Sequence, residues 1–127
     1  MARVLLVEDD SQVREMLLET LTQEGHEVTE ASNGKEAVAA YRANPPDLVI
    51  TDIIMPDQDG VETIHTIRRE FPDAKIIAIS GGSANIRGEY LLGTADALGA
   101  VKTFNKPVDV SELLDAIDSI VRGLSRT

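Results

Sequence analysis

Three acidic side chains follow directly on short apolar runs of the kind that form buried strands. Glu8 and Asp9 come after the first such run of the chain, and Asp52 comes after another run at 48–51. If the ends of these runs meet, the three carboxylates repel one another, and a hard divalent cation removes that cost. Ligation by a few carboxylates and several waters suits Mg²⁺, which also binds phosphate oxygens. The three acids therefore predict a magnesium site.

Two further polar residues extend this chemistry to phosphate. A carboxylate beside Mg²⁺ can attack phosphorus and form an acyl phosphate. The transferring group spreads negative charge over its oxygens, so catalysis consists mainly of positioning and charge neutralisation. Ser80 ends an apolar run and Lys106 follows a more mixed one. The cation would cover one phosphoryl oxygen, Lys106 would cover a second, and the Ser80 hydroxyl would donate to a third.

Each of these residues also has an ordinary structural interpretation. An acidic triplet is usually a solvated patch or a helix cap, and Asp10 or Ser11 fits a cap. Strand ends commonly carry a turn-forming Asp such as Asp52, and the segment 80–82 lacks the spacing of a Walker sequence. What favours function is the joint placement of these residues, which depends on the fold.

Five strands and five helices alternate in the predicted secondary structure. The strands are expected at 3–7, 26–31, 48–52, 75–79 and 100–104. Apolar residues at helical spacing, caps and breakers place the helices. They are one on Val13, Met16, Leu17 and Leu21 that ends at Gly25, one capped by Asn33 and ended by Pro45, one on Ile64, Ile67 and Phe71, one at 85–98, and one after the capping pair Asp109 and Glu112.

This alternation predicts an α/β fold with a doubly wound, five-stranded parallel sheet. The most apolar strands, the first, third and fourth, should be central, and the charged second and mixed fifth strands should be edges. Right-handed crossovers then favour the order 2-1-3-4-5. In such sheets ligands bind beyond the carboxyl ends of the strands, where the chain direction reverses between strands one and three. No internal repeat or linker interrupts the pattern, so we expect a single domain over 1–127.

The composition narrows the classes of partner. The net charge is −10, and the chain has two Phe, two Tyr and no Trp. Phosphates would be repelled and few rings are available for stacking, so direct nucleic-acid binding is not expected. Zero Cys excludes disulfides, thiolate zinc sites and a thiol nucleophile. No apolar run suits a signal peptide or a membrane span. We therefore expect a soluble, cytoplasmic protein without a membrane partner.

Four motifs together resemble the receiver domain of two-component response regulators, the CheY-like family with its flavodoxin-like fold. They are VLLVEDD at 4–10, PDLVITDIIMPDQDG at 46–60, IIAIS at 76–80 and KP at 106–107. The second is the most specific, because an acid followed by Met-Pro and then Asp-Gly is rare outside this family. The resemblance covers almost the whole chain.

The resemblance implies a role for each acid. Asp52 would be the phosphoacceptor, taking a phosphoryl group from a phosphohistidine on a sensor histidine kinase or phosphotransfer protein. Asp9 and Asp52 would ligate Mg²⁺ directly, Glu8 partly through water, and the backbone carbonyl of Ile54 would add a ligand. The domain would promote its own phosphorylation and dephosphorylation at Asp52 without being a metabolic enzyme.

The resemblance also implies a conformational switch. Ser80 would follow the phosphoryl group and Lys106 would contact it. Many relatives carry a rotating aromatic where this chain has Thr103, and Phe104 is the nearest aromatic. The switch would bias a surface formed by the fourth predicted helix, the fifth strand and the last helix, where an unknown downstream protein docks. Apolar Ile54 could hinder the hydrolytic water and prolong the phosphorylated state.

Two other functions remain open from the sequence. One is a receiver-like interaction module that is not phosphorylated, which the absence of the aromatic favours. The other is a Mg²⁺-dependent small-molecule phosphohydrolase that uses the same aspartyl phosphate. Such enzymes commonly carry a second acid two residues after the nucleophile, where this chain has Ile54.

Overall fold

The computed structural model describes residues 2–52, 60–80, 102–105 and 109–125. Within these ranges five strands alternate with four helices, each numbered in chain order. They are β1 (Arg3–Val7), α1 (Ser11–Gln23), β2 (Glu27–Ala31), α2 (Gly34–Ala43), β3 (Leu48–Asp52), α3 (Gly60–Glu70), β4 (Ile76–Ser80), β5 (Lys102–Asn105) and α4 (Val110–Ser125). The helix predicted at 85–98 lies outside the described residues. No described helix has both the length and the apolar character needed to cross a membrane.

The five strands form one parallel sheet in the order β2-β1-β3-β4-β5. The predicted strand order and the doubly wound α/β class are confirmed. Every residue of β3 is buried, whereas β2 exposes three of its five residues at the edge of the sheet. A parallel strand covered on both faces is apolar over most of its length. The apolar strands are therefore central, and the crevice between β1 and β3 lies where the chain direction reverses.

Two hydrophobic cores lie on opposite faces of the sheet. Alternate side chains of a strand point to opposite faces. Leu5 and Val7 accordingly pack in one core with residues of α2 and α3, while Val4 and Leu6 pack in the other with residues of α1 and α4. The helices are thus fixed on both faces of the sheet, and the carboxyl ends of the strands form one edge between the two helix layers.

The helix caps fix the chain where it leaves the strands. The Asp10 carboxylate accepts hydrogen bonds from two backbone N–H groups in the first turn of α1, so Asp10 rather than Ser11 is the cap. The caps predicted at Asn33 and Asp109 are formed in the same way. Gly25 has a φ of 87°, the left-handed conformation that favours glycine just after a helix.

Four predicted strand boundaries are off by one residue, namely the start of β2, both ends of β4 and the end of β5. β2 begins at Glu27, because the His26 N–H donates to the carbonyl of Leu21 at 3.1 Å and completes the end of α1. β4 runs one residue further than predicted, because Ser80 still pairs with Asn105 in the ladder to β5. The pattern of apolar residues in the sequence predicts neither the His26 hydrogen bond nor the pairing of Ser80 with Asn105.

Candidate functional site

The tips of two adjacent parallel strands bring three carboxylates together. Glu8 follows β1 directly, and Asp52 is the last residue of β3. The register pairs Val7 with Thr51, so the next residues along the two strands are neighbours. One carboxylate oxygen from each of Glu8, Asp9 and Asp52 lies within 4.8 Å of the others. The acids that the sequence placed on both sides of the reversal point thus share one crevice.

Burial and spacing make this cluster suitable for a small divalent cation. Glu8 and Asp52 expose only 1% and 3% of their surface, whereas Asp9 is exposed. Buried negative charges side by side are unfavourable unless a cation compensates them. Oxygens at about 2.0–2.1 Å from one Mg²⁺ lie about 2.9 Å apart when adjacent and about 4.1 Å apart when opposite. The observed limit of 4.8 Å between the three oxygens exceeds the longer of these distances by about 0.7 Å and the shorter by about 1.9 Å, so small side-chain movements would bring the oxygens to one ion. The oxygen-only donor set fits Mg²⁺.

Backbone and side-chain hydrogen bonds hold the segment that carries two of the acids. The Glu8 N–H donates to the carbonyl of Ala31 at 3.1 Å, which extends the pairing of β1 with β2 by one residue. The Asp10 N–H donates to Glu8 Oε2 at 3.2 Å. The Glu8 carbonyl accepts from Arg14 Nη1 at 2.7 Å. The loop between β1 and α1 is therefore fixed at several points before any ligand binds.

Asp52 is the last residue of a buried central strand of the sheet. β3 pairs with β1 on one side and with β4 on the other, and Asp52 itself is in register with Ile79. The buried hydroxyl of Thr51 donates to the Asp52 carbonyl at 3.0 Å. A nucleophile needs little reorganisation when its backbone belongs to a paired strand. The position therefore suits a side chain that must meet an incoming group in a fixed geometry.

The other predicted site residues are placed only in part. Ser80 ends β4 next to β3, at the same edge as Asp52, but its side chain lies outside the described residues. Lys106 and Ile54 also lie outside them. Thr103 pairs with Ala78 in the sheet. Phe104 is partly buried and packs against the core shared by α1 and α4.

Sequence reasoning gave no role to Arg14, which the structure places beside the acids. Besides its bond to the Glu8 carbonyl, its Nε lies 3.3 Å from Glu30 Oε1 on β2. An arginine three residues into a helix is usually a solvated side chain. The only signal in the sequence is that a cation closely follows an acidic triplet, which is too common a pattern to be informative.

A doubly wound parallel sheet of this strand order, with an acid cluster at the reversal point, defines the CheY-like class of α/β domain. The family model for the response regulator receiver domain matches residues 4–118. The receiver protein CpdR of Brucella abortus is 34% identical over 121 residues, which are 95% of this chain and 98% of CpdR. The chemotaxis protein CheY of Thermotoga maritima is 36% identical over 119 residues, 93% of this chain and 96% of that protein.

Solved structures agree with the sequence relatives. The crystal structure of the response regulator TrrA from Thermotoga maritima, in complex with Mg(2+)-BeF, superimposes with a TM-score of 0.82 at 34% identity. The match covers 94% of this chain and 99% of TrrA.

The chain belongs to the response regulator receiver domain family and is a receiver of the two-component type. Phosphorylation on an aspartate and Mg²⁺ binding through acidic residues are general features of this family. Receiver domains interact with histidine kinases or phosphotransfer proteins and with downstream effectors. The resemblance drawn from the four sequence motifs is confirmed.

Proposed function

We propose that Asp52 is the residue that takes the phosphoryl group, from a phosphohistidine on a sensor histidine kinase or phosphotransfer protein. The observation that carries the proposal is the buried Asp52 carboxylate within 4.8 Å of two other acids at the reversal point of the sheet. An Asp52 oxygen forms a bond to phosphorus while the bond from phosphorus to the donor nitrogen breaks. The electron pair stays on the imidazole, which takes up a proton.

Three acids of the cluster are the proposed magnesium ligands. Glu8, Asp9 and Asp52 would hold the ion, together with the backbone carbonyl of Ile54. When bound, Mg²⁺ neutralises negative charge on the acids and on the transferring phosphoryl group. The oxygen-only donor set supports this assignment, as does the similarity to TrrA, which was crystallised with Mg(2+)-BeF.

Two residues after neighbouring strands would contact the phosphoryl group once it is on Asp52. The Ser80 hydroxyl would donate to one phosphoryl oxygen and the Lys106 ammonium would pair with another. These contacts exist only in the phosphorylated state, so they shift a pre-existing equilibrium between two conformations. Thr103 and Phe104 on β5 are the proposed responders, and the packing of Phe104 against the core shared with α4 gives the shift a route to that helix.

The proposed docking surface for a downstream protein comprises the segment 85–98, β5 and α4. A net charge of −10 favours a protein partner there over nucleic acid. Our proposal includes a cytoplasmic location without a membrane partner and a single receiver domain over 1–127.

Changes in the NMR chemical shifts of backbone amides on adding Mg²⁺ and beryllofluoride, a mimic of the phosphoryl group, test the proposed docking surface. We expect changes at the acid cluster and in β5 and α4, and changes confined to the cluster would contradict it.

Phosphorylation by a small donor tests the central assignment. The protein is incubated with acetyl phosphate and Mg²⁺ and its intact mass is measured. We expect the wild type to gain one phosphoryl group and Asp52→Asn to gain none. Asp115→Asn, the same change at an exposed aspartate of α4, should be labelled like the wild type.

Each other outcome leads to a definite conclusion. Equal labelling of wild type and Asp52→Asn would place the acceptor elsewhere. No labelling of the wild type, together with no response to Mg²⁺ and beryllofluoride, would favour an unphosphorylated interaction module. Steady release of phosphate from a phosphomonoester substrate would favour a phosphohydrolase.

A further inference from the structure

The Arg14 guanidinium connects helix α1, the Glu8 peptide group that follows β1, and strand β2 beside the acid cluster. Arg14 lies in the first turns of α1, and its Nη1 donates to the Glu8 carbonyl at 2.7 Å. Its Nε lies 3.3 Å from Glu30 Oε1, on the neighbouring strand β2. The Arg14 side chain is 21% exposed and that of Glu30 is 41% exposed. A planar fork with several donors can hold two acceptors in one fixed arrangement.

The carbonyl that Arg14 holds belongs to the peptide group linking Glu8 to Asp9. Because a peptide group is planar, fixing its carbonyl also fixes the direction in which the next residue leaves. The Glu8 N–H donates to the Ala31 carbonyl, so both main-chain polar groups of Glu8 are hydrogen-bonded, the N–H to β2 and the carbonyl to α1. Arg14 thus bonds to the peptide group that joins the two residues carrying two of the clustered carboxylates.

We propose that Arg14 is a positioning residue that orients Glu8 and Asp9 for metal binding by holding the Glu8 carbonyl in place against Glu30. The inference rests on the proposed magnesium site, which Arg14 itself does not join. Residues that orient metal ligands commonly change metal affinity by about 10–100-fold when they are altered. Partial exposure of the Arg14 side chain makes a smaller effect reasonable here.

The charge of Arg14 alone would act in the opposite direction. A positive charge close to a cation site repels the cation, so its removal would strengthen Mg²⁺ binding. The neighbouring acids offset that charge. Arg14 pairs with Glu30. Hydrogen bonds from the Ser32 N–H and hydroxyl are the main causes of the lowered pKa of Glu36, and the charge of Arg14 is a smaller one. The positioning role therefore predicts that removing Arg14 weakens Mg²⁺ binding, whereas the charge effect predicts that it strengthens Mg²⁺ binding.

Calorimetric titration of Mg²⁺ into the metal-free protein measures directly whether a change at Arg14 weakens or strengthens Mg²⁺ binding. We expect Arg14→Gln to weaken Mg²⁺ binding by about 3- to 10-fold. Arg14→Lys keeps the charge but not the fork, and should fall between wild type and Arg14→Gln. The matched control is Arg42→Gln, which breaks a two-bond pair with Glu70 between α2 and α3 and should leave the affinity unchanged. Thermal unfolding checks that each variant is folded.

Two further readouts separate positioning from general stabilisation. If Glu30 acts through Arg14, Glu30→Gln weakens Mg²⁺ binding in the wild type but has little further effect in Arg14→Gln. In metal-free protein, the Asp10 amide, which donates to Glu8 Oε2, should exchange with solvent faster in Arg14→Gln than in wild type. Arg42→Gln should leave that exchange rate unchanged.

The inference can fail without the proposed function failing. If Arg14→Gln binds Mg²⁺ as tightly as the wild type or more tightly, Arg14 does not position the acids, and the magnesium site stands. If Arg14→Lys equals the wild type while Arg14→Gln is weaker, a single cationic donor is sufficient and the two-acceptor fork is not what holds the Glu8 carbonyl, which also overturns the inference. If the folded wild type binds no Mg²⁺ at millimolar concentrations, the magnesium site itself is wrong and the inference falls with it.

Discussion

Asp52→Asn removes one of three negative charges that the fold holds together, and we expect it to stabilise the metal-free protein. At the outer separation of 4.8 Å, two unit charges repel by about 0.9 kcal/mol in water and by about 3.5 kcal/mol at an effective dielectric constant of about 20. Asp9 is exposed and contributes near the lower figure, whereas buried Glu8 contributes more. The amide replaces the hydrogen bonds of the carboxylate only in part. The net gain in free energy of unfolding should be about 1–3 kcal/mol.

Urea denaturation followed by circular dichroism, with EDTA present, measures this gain. Asp115→Asn on the exposed side of α4 is the control and should change stability by less than about 0.5 kcal/mol. Adding Mg²⁺ should stabilise the wild type by mass action and narrow its difference from Asp52→Asn. The reasoning is refuted if Asp52→Asn is less stable than wild type in EDTA, or if Mg²⁺ stabilises both proteins equally.

Three further predictions concern other parts of the fold. Burial and the positive chain terminus lower the pKa of His26 below 6.5, and its Nδ1 accepts from the Ala2 N–H at 3.2 Å. Because the folded state favours the neutral imidazole, the contribution of His26 to the free energy of unfolding should be fully present above a pH of about 6.5 and should fall as the pH drops below that value. Urea denaturation at a series of pH values should show this loss in the wild type and not in His26→Gln. Asp10→Ala removes the cap of α1 and should lower the free energy of unfolding, measured in urea, by about 0.5–2 kcal/mol while changing Mg²⁺ affinity little. Asp9→Asn should weaken Mg²⁺ binding while changing the free energy of unfolding little. Equal effects of the two variants on Mg²⁺ affinity would contradict the assignment of Asp10 as a cap and Asp9 as a metal ligand. Ile54→Asn should shorten the lifetime of the phosphorylated protein, followed by loss of the phosphoryl mass, and an unchanged lifetime would remove Ile54 from the control of hydrolysis.

The fold could be predicted because its information is local and repeated. The alternation of apolar strands with amphipathic helices gave the class, and the contrast between the charged 27–31 segment and apolar 48–51 segment placed the edge and the centre of the sheet. The position of Glu8 and Asp52 followed from the topology, since Glu8 directly follows β1 and Asp52 ends β3, and a doubly wound order makes these two strands adjacent. The caps at Asn33 and Asp109 could be predicted because a cap is formed within a few residues.

The contacts that tune the site could not be predicted, because they join residues from different elements. The hydrogen bond from Arg14 to the Glu8 carbonyl depends on the angle between β1 and α1. The spacing of apolar residues in the sequence does not predict that angle. The pairing of Arg14 with Glu30 further requires β1 and β2 to be in their observed register. The one-residue errors at His26 and Ser80 have the same origin in individual hydrogen bonds between elements.

Direct mapping of the phosphorylated residue tests the central claim most closely. The protein is treated with acetyl phosphate in Mg²⁺ or in EDTA and then reduced with borohydride, which converts an aspartyl phosphate to homoserine, and its peptides are sequenced by mass spectrometry. We predict homoserine at position 52 only, in the Mg²⁺ sample and not in the EDTA sample. Homoserine at another aspartate, or equal conversion at position 52 without Mg²⁺, would contradict the account.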